Sequence, residues 1–344
     1  MALKIENEKI VGKIDKLDEK LEGKLPITSE ELLYLINSWG RIDFFYTQYL
    51  DEVVKIENCR SKECYDLSKL DVSKITSMEN LFKYSLFDGD ISKWDVSNVT
   101  SMKEMFFSVE NFNQPIGNWD VSSVTNMSYM FSFSKNFNQY IGKWDTSNVT
   151  NMDSMFANTE NFNQDIGNWN TNKVKDMKRM FLKAKKFNQD INSWNIGNVT
   201  DISVMFCLAE NFNQPLDKWN TSKVIETYQI FCQAYNFNQD ISNWNVSNIT
   251  DMDGIFFAAK SFNQNILNWN LNSLKTANLM FHDAKAFCDK YNNGNPLPED
   301  TYKTKEWFNL NRERINMIEI KEKHGEEIDN FFSIINNNEM KKDK

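Results

Sequence analysis

The apolar residues of this chain return at a fixed interval. Tryptophan occurs at every 25th residue from Trp94 to Trp269, and phenylalanine keeps the same interval from Phe87 to Phe287. A constant period in this range is typical of stacked-repeat solenoids, in which each repeat buries its apolar edge only against its neighbours. The sequence therefore predicts a solenoid with one coil per repeat.

The repeat that spans residues 91–115 indicates which elements form each coil. Trp94 and Val96 lie two residues apart, so an extended segment would turn both to the core and Asp95 to solvent. From Val99 onward the apolar residues are spaced by three or four, which suits a helical turn with a threonine at its N-cap. The predicted fold class is an α/β repeat solenoid with one short parallel strand and one short helix or 3₁₀ turn per coil, and with helical caps at both ends.

Two recurrent side chains are predicted to build the interior. The tryptophans share their side of the strand with apolar or threonine residues, so a buried position is favoured over an exposed platform that stacks ligands. The return loop of each repeat reads Phe-Asn-Gln, as in Phe112, Asn113 and Gln114. Side-chain amides both donate and accept hydrogen bonds, so a stacked ladder of them can satisfy the backbone where the coil turns.

Charges two residues before each return-loop phenylalanine alternate in sign along the repeats. Glu110, Lys135 and Glu160 follow one another at this position, and the alternation ends at Tyr235. Stacked neighbours would form ion pairs, and an exposed pair contributes only about 0.2–1 kcal/mol, so this row specifies register more than it adds stability.

The pattern divides the chain into four predicted segments. Residues 1–25 form a charged N-terminal helix, residues 26–66 an N-terminal helical cap, residues 67–290 the solenoid, and residues 291–344 a C-terminal helical cap with a polar tail. The first and last copies depart from the others, as terminal repeats of solenoids do. A short heptad seam in residues 1–25 leaves open a self-association helix or a helix that lies on the cap or free in solution.

Charge and hydropathy exclude several classes of partner. The chain has 344 residues and a net charge of −9, so a surface that follows nucleic-acid phosphates is not expected. No window approaches the roughly 20 apolar residues of a membrane span, and no signal-peptide pattern is visible. We therefore expect an intracellular or virion-associated location, unless a leader has been removed.

Residues with catalytic or metal-binding chemistry are few. There are two histidines, and no nucleophile elbow, phosphate loop or metal-ligand cluster appears. We expect a protein that is not an enzyme and that binds no cofactor or metal. Cys207 and Cys232 share one phase of the repeat and are expected to be reduced core thiols, whereas Cys59 and Cys64 give only a weak indication of zinc.

The motifs WDVSNVT, MF and FNQDI, which recur between Leu67 and Cys288, resemble the BspA-like class of leucine-rich repeats. Tryptophan stands where that class usually has leucine or isoleucine. Similar 25-residue repeats occur in surface proteins of mycoplasmas, spirochaetes and other bacteria, and in giant viruses and protists. The resemblance implies a leucine-rich-repeat-like solenoid, and secreted members imply a role in adhesion or host interaction. This chain lacks a visible export signal, which separates it from those members.

The residues before and after each tryptophan are the candidate binding surface, because they point away from the core in the predicted strand. The candidate residues are Lys93, Asp95, Asn118, Asp120, Lys143, Asp145, Asn170, Asn195 and Asn220. The favoured function is a protein-interaction or adhesion module with a protein partner. A self-assembling structural component of a surface layer or virion is the alternative, and a calcium- or glycan-binding repeat surface is a weaker one.

Overall fold

A computed structural model of the chain describes residues 16–32, 66–316, 320 and 325. Within residues 66–291 the chain winds through stacked coils, each equivalent in position to the one before it. Parallel β-bridges join one residue of each coil to its equivalent in the next, from Ser77 and Ser101 through to Thr276. The predicted repeat solenoid is confirmed.

The interior of the solenoid is a set of aromatic columns. In each coil two phenylalanine rings lie face to face, as Phe106 and Phe112 do with centroids 3.9 Å apart. The same rings stack on those of the next coil, with 5.5 Å between Phe106 and Phe131 and 6.1 Å between Phe112 and Phe137. Stacked aromatic pairs add about 0.5–1.5 kcal/mol each beyond the area that they bury, so the columns tie successive coils together.

The tryptophans are buried, as predicted from their pattern. All eight of the repeat tryptophans are at most 4% exposed, and each indole N–H donates to a backbone carbonyl of the preceding coil. For example, Trp194 Nε1 donates to the Ile166 oxygen at 3.1 Å. A buried indole N–H without an acceptor would cost about 1–3 kcal/mol, so the carbonyl fixes the orientation of each ring.

The strand predicted at Trp94–Val96 is not present. Trp94 N–H donates to the Ile91 oxygen and Val99 N–H to the Val96 oxygen, so both ends of this segment are closed by local turns. Trp94 and Val96 are buried and Asp95 is exposed, as an extended strand would also place them. The alternation of buried and exposed side chains was therefore predicted correctly. It arises from two consecutive turns and not from the hydrogen bonds of a β-strand.

The short helix or 3₁₀ turn predicted after Val99 is a chain of turns, and no α-helix is present there. Every second N–H donates to the next coil, as Met102 does to Asn126 and Glu104 to Ser128. The intervening N–H groups donate three residues back within their own coil, as Met105 does to Met102. Turns of this kind also bring apolar residues inward at steps of three and four, which is why the spacing indicated a helix.

Short helical segments lie at both ends of the described solenoid. Helix α1 (Leu17–Leu21) precedes Ile27, whose N–H donates to the Asp71 oxygen of the first coil. Residues 29–32 are helical, and Thr28 and Glu31 exchange hydrogen bonds as a capping box.

At the other end, helix α2 (Lys285–Tyr291) continues the last coil, and residues 301–316 form a longer helix, α3. Phe308 and Ile315 of α3 are buried in the continuous core. Arg312 Nε donates to the Leu267 oxygen at 2.7 Å, and Leu279 N–H donates to the Glu299 oxygen. These contacts cover apolar and backbone groups that would otherwise stand at an open end of the solenoid.

Candidate binding surfaces

The first candidate surface is the tryptophan edge, which we define as the residues immediately before and after each repeat tryptophan. All nine predicted residues are exposed: Lys93, Asp95, Asn118, Asp120, Lys143, Asp145, Asn170, Asn195 and Asn220. The structure therefore places them at the surface, and their role in binding stays a prediction.

The acidic and amide residues of the tryptophan edge have a local structural task. The residue after each tryptophan accepts, through Oδ1, the N–H of the residue two positions later. Asp71, at the same place in the first coil, does the same for Ser73. This Asx turn needs one side-chain oxygen, which aspartate and asparagine both supply. The requirement explains why only these two residue types occur there.

Hydrogen bonds also determine the acidity of this edge. The Ser97 hydroxyl, and then the Ser97 N–H, lower the pKa of Asp95 below its ordinary value. The Ser147 hydroxyl and N–H lower the pKa of Asp145 in the same way. In the described part of the chain no group of three or more acidic, histidine or cysteine side chains could hold a metal ion. Calcium binding by the stacked aspartates stays a prediction.

The return-loop amides form the predicted ladder. Asn213 N–H donates to Asn188 Oδ1 at 2.9 Å, and Gln214 Nε2 donates to the same oxygen at 3.0 Å. The backbone contact recurs between successive coils from Asn113 to Asn263. The amides of each return loop therefore form hydrogen bonds with the return loop of the neighbouring coil, and the prediction of a structural role is confirmed.

The predicted charge row forms in part. Lys135 Nζ lies 2.7 Å from Glu110 Oε1, and Lys185 Nζ lies 3.0 Å from Glu160 Oε2. Where the alternation ends, Lys260 Nζ lies over the Tyr235 ring, 5.0 Å from its centroid. A cation–π contact thus takes the place of an ion pair between these two coils.

The second candidate surface was not predicted. We call it the turn face and define it as five positions per coil, represented by Ser101, Lys103, Glu104, Phe107 and Ser108, with their equivalents from Ser77 to Asp283. These positions lie on the chain of turns beside the parallel bridges. Contacts between coils join them, since Arg179 reaches both Asp153 of the preceding coil and Tyr129 of the coil before that.

Side chains on the turn face differ from coil to coil. The position of Phe107 is occupied in the nine successive coils by Lys83, Phe107, Ser132, Ala157, Leu182, Cys207, Cys232, Phe257 and His282. The position of Lys103 is occupied by Glu79, Lys103, Ser128, Asp153, Lys178, Ser203, Tyr228, Asp253 and Asn278. Charge, size and polarity all change here, whereas the tryptophan edge repeats a few polar types.

The backbone of the turn face is held in an unusual conformation. The positions of Glu104 and Ser108 have positive φ in all nine coils, and Gly254 is the only glycine at either position. A left-handed residue other than glycine costs about 1–2 kcal/mol. Val204 at φ 62° and Phe133 at φ 62° accept this cost although their side chains are bulky. The hydrogen bonds between coils therefore fix the backbone here, and the side chains are free to vary.

Aromatic and charged groups of the turn face cluster in its first half. The rings of Tyr84 and Phe107 meet edge to face at 5.3 Å, and those of Phe107 and Phe133 lie 5.5 Å apart. Phe133 is 42% exposed. Lys83 pairs with Glu104 and lies over the Phe107 ring at 5.1 Å. This arrangement offers a partner an apolar area with charged groups at its border.

The remaining chemistry-bearing residues are distributed as follows. Cys207 and Cys232 are free, buried thiols in adjacent coils, as expected; a hydrogen bond with Cys232 and burial raise the pKa of Cys207. His282 stacks on Phe257. Cys59, Cys64 and His324 lie outside the described residues, and so do residues 1–15 of the predicted self-association segment. No helix among the described residues is long and apolar enough to cross a membrane.

The signal for the turn face was present in the sequence. Superposing the repeats at their 25-residue period shows that the side chain changes from coil to coil at these five positions, some of which are buried, as at Ser132 and Ala157. The predicted strand instead favours the exposed residues beside the tryptophans as the candidate surface. The parallel bridges between coils lie on the chain of turns. The variable positions therefore lie beside these bridges, whereas the tryptophan edge does not.

Comparisons with known proteins identify the repeats but no role. A family model described as Mycoplasma protein of unknown function, DUF285, matches residues 51–149, 133–238 and 210–313. These overlapping matches cover well over half of the chain. No curated protein and no solved structure matches it. The chain thus belongs to the Mycoplasma protein family of unknown function DUF285.

Proposed function

We propose that the protein is a non-enzymatic protein-interaction module that binds its partner through the turn face. The observation that carries the proposal is the contrast in side-chain variation between surfaces on the same coils. A surface that recognises one particular partner needs different groups at different places, and the turn face has them. The tryptophan edge repeats nearly the same groups, and its aspartates and asparagines are engaged in Asx turns.

Exposed apolar groups support binding at this face. Phe133 is 42% exposed and Tyr228 is 40% exposed, and both belong to the turn face. Aromatic side chains supply much of the free energy in protein interfaces when a partner covers them. The fixed backbone adds to this, because a preorganised surface loses less conformational entropy on binding.

We also propose that the repeats are of the BspA-like leucine-rich type. The sequence motifs support this, and so do the parallel bridges that recur once per coil. The proposal implies that adhesion to, or interaction with, another protein is the biological task. Fold alone does not assign a partner, so the test concerns the surface.

The proposal is tested by capture of proteins from a lysate of the source cells, with the full chain and two triple variants. The turn-face variant is Phe107→Ser, Phe133→Ser and Tyr228→Ser. Each serine already occupies the same position in another coil, at Ser132, Ser108 and Ser203, so the fold is expected to persist. The edge variant is Lys93→Asn, Lys143→Asn and Lys218→Asn, with asparagine likewise present at that position, for example at Asn118.

We expect at least one protein to bind the unmodified chain and the edge variant and to be lost with the turn-face variant. Circular dichroism of all three chains checks that they are folded. Loss with the edge variant instead, or capture that neither variant changes, would overturn the proposal. Absence of any captured protein would count against it too.

A further inference from the structure

The last four coils of the turn face carry carboxylates without cationic partners. Their acidic residues are Asp201, Glu226, Asp251, Asp253 and Asp283, and no lysine or arginine occupies a turn-face position in these coils. None of the five carboxylates forms an ion pair with a described residue. We call this part of the turn face the acidic half.

The first half of the turn face is different, because its charges compensate one another. Lys83 pairs with Glu104, Arg179 Nη2 lies 3.3 Å from Asp153 Oδ2, and Lys178 Nζ lies 3.4 Å from Asp176 Oδ2. Most carboxylates of the first half are thus paired, so unpaired carboxylates are not a property of the repeat itself.

The acidic half holds its like charges close together. Asp201, Glu226 and Asp251 occupy the bridge position of three successive coils. Burial raises the pKa of Asp251, and the charges of Asp253, Glu226 and Asp201 raise it further, although the Asp253 N–H opposes this. Carboxylates on neighbouring coils repel one another, and a cation brought by a partner would relieve that repulsion.

Apolar side chains are exposed between these carboxylates. Tyr228 is 40% exposed and Leu279 is 38% exposed, and Ile225, next to Glu226, is 42% exposed. Val204 and Leu208 lie partly exposed in the same region. A partner for this surface therefore needs apolar groups as well as positive charge.

A hollow at the end of the acidic half is suited to one cationic side chain. It has a volume of about 340 Å³ and is lined by Phe257, His282, Asp283, Leu297 and Glu299, among others. The His282 ring lies on the Phe257 ring with centroids 4.9 Å apart, and His282 Nδ1 lies 2.7 Å from Glu299 Oε1. The walls are thus aromatic and aliphatic, and the rim carries two carboxylates.

We propose that the acidic half of the turn face binds a basic, apolar-anchored segment of another protein, with an arginine or lysine side chain in the hollow beside Phe257 and His282. The aliphatic stem of such a side chain packs on the rings, and its charge meets Asp283 and Glu299. Tyr228 and Leu279 receive apolar residues of the same segment. This inference rests on the proposed function and specifies the chemistry of its partner.

The test uses a displayed library of random 16-residue peptides, selected on the full chain. Selected peptides are synthesised with a fluorophore, and their dissociation constants are measured by fluorescence polarisation against three chains. The acidic-half variant is Asp201→Asn, Asp251→Asn and Asp283→Asn; asparagine stands at the equivalent places in Asn126, Asn151 and Asn158. The control is Asp95→Asn, Asp120→Asn and Asp145→Asn, which removes the same charge from the tryptophan edge, where asparagine is also native to the repeat.

We expect the selected peptides to be enriched in arginine or lysine together with aromatic or aliphatic residues. Their binding should weaken at least tenfold with the acidic-half variant and less than twofold with the control, and it should weaken as salt increases. Equal weakening with both variants would show attraction to net charge alone and would overturn the proposal. Neutral or acidic selected peptides would overturn it as well.

The turn-face variant, Phe107→Ser, Phe133→Ser and Tyr228→Ser, separates this inference from the proposed function. Peptides that lose binding with this variant but keep it with the acidic-half variant would leave the turn face as the binding surface and end the inference about a basic segment. Peptides that bind all variants equally would contradict both proposals.

Discussion

On the tryptophan edge, the side chain that follows each tryptophan closes a turn of its own coil. The bridge residues of the turn face do the same, as Asp201 does for the Ser203 N–H, but at its left-handed positions main-chain groups close the turns. The Oδ1 atom of Asp145 accepts the Ser147 N–H, whereas at Arg179 and Val204 the hydrogen bonds run between main-chain atoms. The position after each tryptophan therefore tolerates only residues with a suitably placed oxygen. The left-handed positions of the turn face, those of Glu104 and Ser108, tolerate any side chain that accepts this backbone, and such freedom is what a binding surface requires.

The largest loss of stability is expected from a substitution in the interior, which supports both surfaces. Trp194→Ala removes a ring that stacks on Trp169 at 6.3 Å and donates to the Ile166 oxygen. Truncation of a buried aromatic side chain costs about 3–5 kcal/mol. Urea unfolding measures the loss. Tyr228→Ser on the turn face is the control, with an expected loss below about 1 kcal/mol because the residue is 40% exposed. Similar losses in the free energy of unfolding would contradict the assignment of Trp194 to the supporting interior and of Tyr228 to the surface.

A smaller loss is expected from the amide ladder. Asn188→Ala removes the oxygen that accepts Asn213 N–H and Gln214 Nε2. Leaving such donors unpaired costs about 1–3 kcal/mol in total at this half-buried site. Asn195→Ala on the tryptophan edge makes the same chemical change but frees one exposed donor, so a loss of about 0.5 kcal/mol is expected. If Asn195→Ala proves the more harmful in urea unfolding, the ladder does not have the role described.

The smallest expected effect concerns the dependence of stability on pH. A carboxylate of the tryptophan edge and one of the turn face are expected to change the free energy of unfolding in opposite directions. The folded-state pKa of Asp145 is lowered, so its contribution to stability is present at neutral pH and is lost as the pH falls through that lowered value. The folded-state pKa of Asp251 is raised, so it destabilises the fold at neutral pH, and the penalty is relieved as the pH falls.

Asp251→Asn should therefore raise the free energy of unfolding at pH 7, and Asp145→Asn should lower it or leave it unchanged. Both changes are expected to stay below about 1 kcal/mol, because solvent screens these partly exposed groups. Urea unfolding at pH 7 and at pH 4 checks the signs, and the gain from Asp251→Asn should shrink at the lower pH. An increase in the free energy of unfolding with Asp145→Asn at pH 7 would contradict the expected difference between Asp145 and Asp251.

The sequence predicted the interior far better than the surface. The period of Trp94 and its equivalents determines which aromatic rings stack between coils. The chemistry of Asn113 and Gln114 determines how the backbone groups of the return loops are hydrogen-bonded. The conformation between them was mispredicted, because apolar steps of three and four fit a chain of turns as well as a helix. Left-handed residues such as Val204 and Phe133 carry no glycine or asparagine signal, since hydrogen bonds from neighbouring coils impose their backbone.

The hydrogen bonds that join the coils have one further consequence. Many of them pair a main-chain N–H with a main-chain oxygen of the next coil at the same place in the repeat, from Met102 and Asn126 to Met252 and Thr276. A gene segment encoding one unit could thus be duplicated or lost, and the flanking units would find the same partners as before. Such an event would lengthen or shorten the turn face by one row of five side chains, so the length of the proposed binding surface can change in inheritance faster than single substitutions would allow.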